Sequence, residues 1–259
     1  MEIAALALLF AGGLLSGAVT AIAGGGSFLT FPMLLAAGVP PMAANITNWI
    51  ALMPGNFMAL AAYRTELAEM RHDVRPHLLV AFSGGLTGSL LLLWAGEVRF
   101  EKAVPWLMLT ATLFFAFGEW VKKRLHAWRK PDRPVPKRAI LAFEFLLMVY
   151  GGYFGAGLGI VLLAALAMGG EASIHRANAK KNLMVVALSV AGSIVFLPSG
   201  EVVWLYAAPI LIASGIGGYG AVYLALGAGL GHRADRGDVL EIRLSPPPPD
   251  AANTDVRHR

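Results

Sequence analysis

The sequence contains no cysteine, which excludes a disulfide framework, a thiolate metal site and thiol catalysis. Charge is scarce too: 14% of the 259 residues are charged, against 57% hydrophobic. A soluble domain wets its surface with roughly a quarter of its residues charged, so much of this exterior faces something other than water. The emptiest stretch is Ile3 to Tyr63, 61 consecutive residues without Asp, Glu, Lys, Arg or His. A helix crosses a bilayer with about 20 apolar residues at 1.5 Å each, so this run holds two crossings. A cleaved signal peptide ending near Ala21-Ile22-Ala23 is disfavoured, because no basic segment precedes the run and it continues far beyond that point. There is no HExxH pair, no GxSxG elbow, no Gly-Lys-Ser/Thr after a glycine run, and no two acids share an apolar span. Those absences argue against an enzyme, against a metal site and against a nucleotide or other cofactor.

Further uncharged runs are present: Leu78–Gly96, Ala103–Gly118, Leu183–Gly200 and Val202–Gly231, while Ala139–Gly170 carries the single charge of Glu144. In hydrocarbon every backbone group must bond within its own segment, which favours helices, and the alternating strands of a membrane barrel are missing. The expected fold is an all-α polytopic membrane protein of about seven transmembrane helices. The net charge of +5 does not indicate nucleic acid, because the positives gather in one central segment and the tail. Val121–Arg138 holds eight basic residues against Asp132, so the positive-inside rule makes it cytoplasmic. Threading backwards places the Glu97–Lys102 loop outside and the N-terminus inside. Arg176, Lys180 and Lys181 then fall on the outer side, against the rule.

The two halves resemble each other. Gly24-Gly25-Gly26-Ser27, an apolar half-helix to Gly38 and Ala44-Asn45-Ile46-Thr47-Asn48 are echoed by Gly155-Ala156-Gly157-Leu158-Gly159, a half-helix to Gly169 and Ala177-Asn178-Ala179-Lys180-Lys181-Asn182. Gly84-Gly85-Leu86-Thr87-Gly88 is echoed by Gly217-Gly218-Tyr219-Gly220. With this threading both halves start on the cytoplasmic side, a parallel duplication. The expected organisation is a first repeat over 1–120, a basic cytoplasmic loop over 121–138, an incomplete second repeat over 139–231 and a polar, disordered tail over 232–259 that includes Pro246–Pro249.

Gly24 to Pro32, Pro40-Pro41, the Asn45/Asn48 pair, His175 to Asn182 and Gly217-Gly218-Tyr219, in this order, resemble the TauE/SafE family of sulfite and organosulfonate transporters. The resemblance covers about Ile3 to Ala225. It implies eight helices in two four-helix repeats, of which the eighth is missing here, and export of a small oxyanion across the inner (plasma) membrane.

Glycine runs within a span are expected to break the helix and aim N-terminal N–H groups at an anion; close helix packing is the plainer alternative. On that reasoning Gly24, Gly25, Gly26, Ser27, Gly155, Gly157 and Gly159 are candidate substrate contacts. Asn45, Thr47, Asn48, Asn178 and Asn182 supply amide or hydroxyl donors, and Lys180 or Lys181 a cation. Their plain alternatives are interhelical hydrogen bonds and snorkelling to the interface. Glu144 and His175 are candidates for ion coupling, since a transmembrane acid persists mainly where it is used. Trp94, Trp106, Trp120, Trp128 and Trp204 read as interfacial anchors. The partners implied are the bilayer and a small oxyanion, with homo-oligomerisation left open. The competing readings are an anion channel and a structural or assembly membrane protein.

Overall fold

Helices form wherever the apolar runs predict them. The computed structural model describes residues 2–22, 24–63, 67–68, 70, 74–128, 136–169 and 174–234, and among these it contains eight helices and no strand. They are α1 (Glu2–Ile22), α2 (Ser27–Ala36), α3 (Pro41–Ala62), α4 (Arg75–Trp128), α5 (Lys137–Tyr153), α6 (Leu158–Met168), α7 (Ile174–Phe196) and α8 (Trp204–Ala234). Three are long and apolar enough to cross a membrane, over Ala4–Ala21, Arg75–Leu113 and Arg176–Phe196. The surface carries large apolar side chains, and several polar ones are buried within an otherwise apolar interior. Leu79, Trp94, Trp106 and Trp204 are exposed, whereas Asn45, Asn48, Glu144, Lys180 and Lys181 are buried. That distribution suits a lipid surroundings and is costly in water.

By packing, the chain divides into two units, Met1–Val222 and Tyr223–Arg259. The two halves read from the sequence are therefore one body. In the second unit α8 runs on to Ala234, three residues into the stretch expected to be disordered; residues 235–259, with the proline run, lie outside the described residues.

The 54 residues of α4 are not one rod. Gly96 takes φ 70°, ψ 172° and breaks it. On either side of the break, Gly88 and Phe100 both pack against Tyr153, so the second arm folds back beside the first. The expected outer loop, Glu97–Lys102, is thus helical, and the turn is made at Gly96. Glu97 has a different job: its carboxylate accepts a hydrogen bond from the Met42 backbone N–H at 3.2 Å. A negative group there complements the positive start of α3. The described ends of the basic segment are helical too, since α4 continues to Trp128 and α5 opens with Lys137; residues 129–135 lie outside the described residues.

Contacts fix the direction of each helix in the first unit. Gly26 packs on Ser16 and Gly12 on Met33, so α2 doubles back along α1. Gly55 then lies beside Gly17, so α3 runs in the same sense as α1. In the later segment Leu158 packs on Gly151 and Gly169 beside Ile140, so α6 doubles back along α5. Leu188 returns to Gly151, so α7 runs in the same sense as α5. The start of α3 meets the end of α5 through Asn45 and Tyr153, while the chain leaving α3 reaches His77, which meets Glu144 nearer the start of α5. The first segment therefore runs opposite to the second. Loop charge threaded them in the same sense, and the difference lies in α2: at ten residues it is about 15 Å long, half a crossing.

Small residues set how closely the helices approach. A Cβ on Gly217 would lie 2.0 Å from the Leu14 carbonyl oxygen, and one on Gly88 would lie 2.1 Å from that of Val149. The glycines of α8 thus seat it on α1 and α3, and those of α4 seat it on α5 and α7. Backbone-to-backbone contact of this kind holds membrane helices together where lipid supplies no hydrophobic drive.

Candidate functional site

Two helix breaks meet at the centre of the first unit. Between α1 and α2, Gly24 takes φ 82°; between α5 and α6, Gly155 takes φ 81°. A side chain in that conformation costs roughly 1–2 kcal/mol. The breaks touch, since a Cβ on Gly24 would sit 2.5 Å from the Gly159 Cα.

Ending a helix inside the protein leaves carbonyl oxygens without intrahelical donors, and here each segment serves the other. Lys181 Nζ and Asn182 Nδ2, from α7, donate to the Ala21 carbonyl at the end of α1, at 3.4 and 3.5 Å. Asn45 Nδ2, from α3, donates to the Tyr153 carbonyl at the end of α5, at 3.1 Å. Within the segments, Ser16 Oγ donates to the Gly26 carbonyl at 2.6 Å and the Tyr150 hydroxyl to that of Ala156 at 2.7 Å. The breaks are therefore held structures rather than frayed ends.

Beside them lies a cavity of about 70 Å³, lined by Thr20, Gly24, Gly26, Ser27, Asn45, Asn48, Trp49, Leu52, Asn56, Phe154, Gly155, Leu158, Gly159, Lys181, Asn182, Val185, Leu188 and Ser189. One water needs roughly 10–15 Å³ measured this way, so a small oxyanion or several waters fit. The first turns of α2 and α6 open here, bringing the positive ends of two helix dipoles. No side chain caps the first turn of α2. The ends of α1 and α5 bring negative ends to the same place, so the Lys181 ammonium tips the balance towards an anion. Among the described residues, Thr20 Oγ1 and Asn56 Oδ1 are buried without a hydrogen-bond partner, leaving polar capacity at the cavity.

Of the residues singled out from sequence, Gly24, Gly26, Ser27, Asn45, Asn48, Gly155, Gly159, Lys181 and Asn182 line this cavity. Gly25, Thr47, Gly157, Asn178 and Lys180 do not. Thr47 Oγ1 instead accepts from the Val203 N–H at 2.9 Å, fastening the connection before α8, and Gly157, at φ 76°, lies against Ala111 of α4. The side chain of His175 lies outside the described residues. Glu144 is fully buried and bonded to His77, away from the cavity.

Sequence reasoning passed over Thr20, Trp49, Leu52, Val185, Leu188 and Ser189 as site residues. A signal existed for most of them. Asn45, Asn48, Trp49, Leu52 and Asn56 recur at three- and four-residue steps on α3, as do Lys181, Asn182, Val185, Leu188 and Ser189 on α7. Residues so spaced share one helix face.

Residues 9–233 match the family described as "Sulfite exporter TauE/SafE". Among similar sequences, a probable membrane transporter protein of Haemophilus influenzae is 32% identical over 200 residues, covering 77% of this chain and 76% of the relative. The probable membrane transporter protein YfcA of Escherichia coli is 25% identical over 218 residues, covering 82% and 77%. The probable membrane transporter protein ORF9 of a Sinorhizobium species is 27% identical over 199 residues, covering 77% and 75%. No solved structure matches.

Proposed function

Because the chain belongs to the sulfite exporter TauE/SafE family of membrane transporters, we propose that it exports a small oxyanion, sulfite or an organosulfonate, across the inner membrane by alternating access. The observation that carries the reading is the meeting of Gly24 with Gly159 beside a cavity furnished with Asn45, Asn48, Lys181 and Asn182. An oxyanion suits amide donors, two helix starts and one ammonium. A neutral solute would have no use for that field.

In this reading α1, α3, the two arms of α4, α5, α7 and α8 make seven crossings, and α2 and α6 are half-length returns. The opposed directions of α1–α3 and α5–α7 make the duplication an inverted one, with the site where the repeats face each other. With the basic segment cytoplasmic, the N-terminus lies outside. Arg176 and Lys180 then belong to the cytoplasmic end of α7, which removes their conflict with the positive-inside rule.

The test is flux in proteoliposomes. Saturable uptake of labelled sulfite or a short sulfonate, accelerated by unlabelled anion on the other side, is the expected result. Conductance without such exchange would make the protein an anion channel. Absence of both, for every oxyanion tried, would overturn the reading.

A further inference from the structure

One buried ionisable pair plays no part in the cavity. His77 Nδ1, on the first arm of α4, lies 2.7 Å from Glu144 Oε2 on α5. The Glu144 side chain is 0% exposed and that of His77 is 9% exposed. At that distance one proton lies between nitrogen and oxygen, whichever of the two carries it. The other carboxyl oxygen, Oε1, is buried with no hydrogen-bond partner in the structure. A bare acceptor of this kind in an apolar interior is costly, and the same helices contribute Ala81, Leu147 and Met148 to a buried apolar cluster. Membrane interiors keep such groups mainly where they are used.

The surroundings are ordered by the helix directions. α5 and α7 run side by side in one sense, joined level with each other at Gly151 and Leu188. Seven residues before Gly151 is Glu144, and eight before Leu188 is Lys180, so the first third of α7 lies level with the pair. Among the described residues, the ionisable groups on the elements packed around it are Arg75 on the first arm of α4, Glu97, Arg99, Glu101 and Lys102 beyond the break at its far end, Lys137 and Arg138 at the start of α5, Tyr150 and Tyr153 farther along α5, and Arg176, Lys180 and Lys181 on α7; α6 has none. Lys180 is buried away from the cavity, while its neighbour Lys181 lines it.

We infer that His77 and Glu144 form a proton-binding site, distinct from the anion cavity, whose proton is exchanged in the transport cycle. The pair holds one proton in the state seen here. The unpartnered Oε1 takes the second, leaving a neutral carboxylic acid beside an imidazolium, and later gives it up again. No other group changes its bonding. A positive charge thus appears and disappears one helix away from the place where the anion's negative charge comes and goes. This assignment rests on the transporter reading for its role in coupling, but the site itself is a property of the folded protein.

Two measurements separate the two claims. Infrared titration of purified protein in detergent should show a protonated-carboxyl band that changes with pH, is lost in Glu144→Gln and is displaced in His77→Asn. If the band is unaffected by either substitution, the pair is not a proton site. In proteoliposomes, an imposed pH gradient should stimulate net sulfite flux by the wild type. Glu144→Gln should lose that stimulation while retaining exchange of sulfite for sulfite, which needs no net proton movement and proves the variant folded. Gradient stimulation unchanged in Glu144→Gln would overturn the inference and leave the transporter reading standing. A titrating band with no flux of any oxyanion tried would keep the proton site and sink the transporter reading.

Discussion

Replacing Lys181 by glutamine separates the two jobs this side chain has been given. Its amine donates to the Ala21 carbonyl at 3.4 Å and lines the cavity with 1% of its surface exposed. Glutamine keeps an N–H donor and loses the charge, and Asn182 still donates to the same carbonyl. The stability change should then stay near the net value of one hydrogen bond, about 1 kcal/mol. The anion loses more. A unit charge 4 Å from another is worth about 1 kcal/mol in water and about 4 kcal/mol at an effective dielectric of 20. A small, partly wet cavity lies between these limits, so sulfite affinity should fall by roughly five-fold to a thousand-fold.

Calorimetric titration of purified protein with sulfite reads the affinity, and thermal unfolding in the same detergent reads the stability. Arg99→Gln is the control of equal charge. Arg99 is exposed and lies over the Trp94 ring at 5.4 Å, so its loss should leave sulfite binding as it was. Equal binding by Lys181→Gln and wild type would reduce the lysine to a cap on α1, and the amides and helix starts would be the anion's only partners.

Leucine at Gly217 should cost 1–3 kcal/mol or more in thermal unfolding, because any Cβ there meets the Leu14 carbonyl. Leucine at Gly220, where nothing lies within 4 Å, should be tolerated; equal losses would show that α8 does not seat on α1 as described. In intact cells an impermeant thiol reagent added outside should label a cysteine replacing Glu2 and spare one replacing Ala127; labelling of both or of neither would refute the inverted arrangement, and labelling of the second alone would reverse its sidedness.

How far the site was legible depended on whether its signal was local. The glycine runs carry their own message, since three glycines in an apolar stretch oppose helix, and both breaks fall within them. Asn45, Asn48, Lys181 and Asn182 stood out as polar residues in apolar surroundings, which is also a local property. The face shared by Asn45, Trp49, Leu52 and Asn56 was legible as spacing, but aromatic and aliphatic members look like ordinary core until the cavity beside them is seen. His77 and Glu144 are 67 residues apart, and nothing in either neighbourhood announces the other. Only the parallel packing of α4 on α5 brings them together. Thr47 shows the reverse error: a polar residue in a suggestive cluster that spends its hydroxyl on the backbone before α8.

The relative direction of α1–α3 and α5–α7 was the least legible feature, and the reason is arithmetic. Hydropathy measures how many residues shun water, and 61 of them in a row fit two crossings with some to spare. The surplus is α2, which takes the chain halfway back and leaves two helices, α1 and α3, running in the same sense. One half-length return therefore changes the parity of everything before it, while leaving composition and crossing count untouched. Arg176, Lys180 and Lys181 registered a second return of the same kind, because α6 doubling back along α5 puts the start of α7 on the side of the basic start of α5. A misplaced positive charge was thus better information about topology than the length of the apolar run.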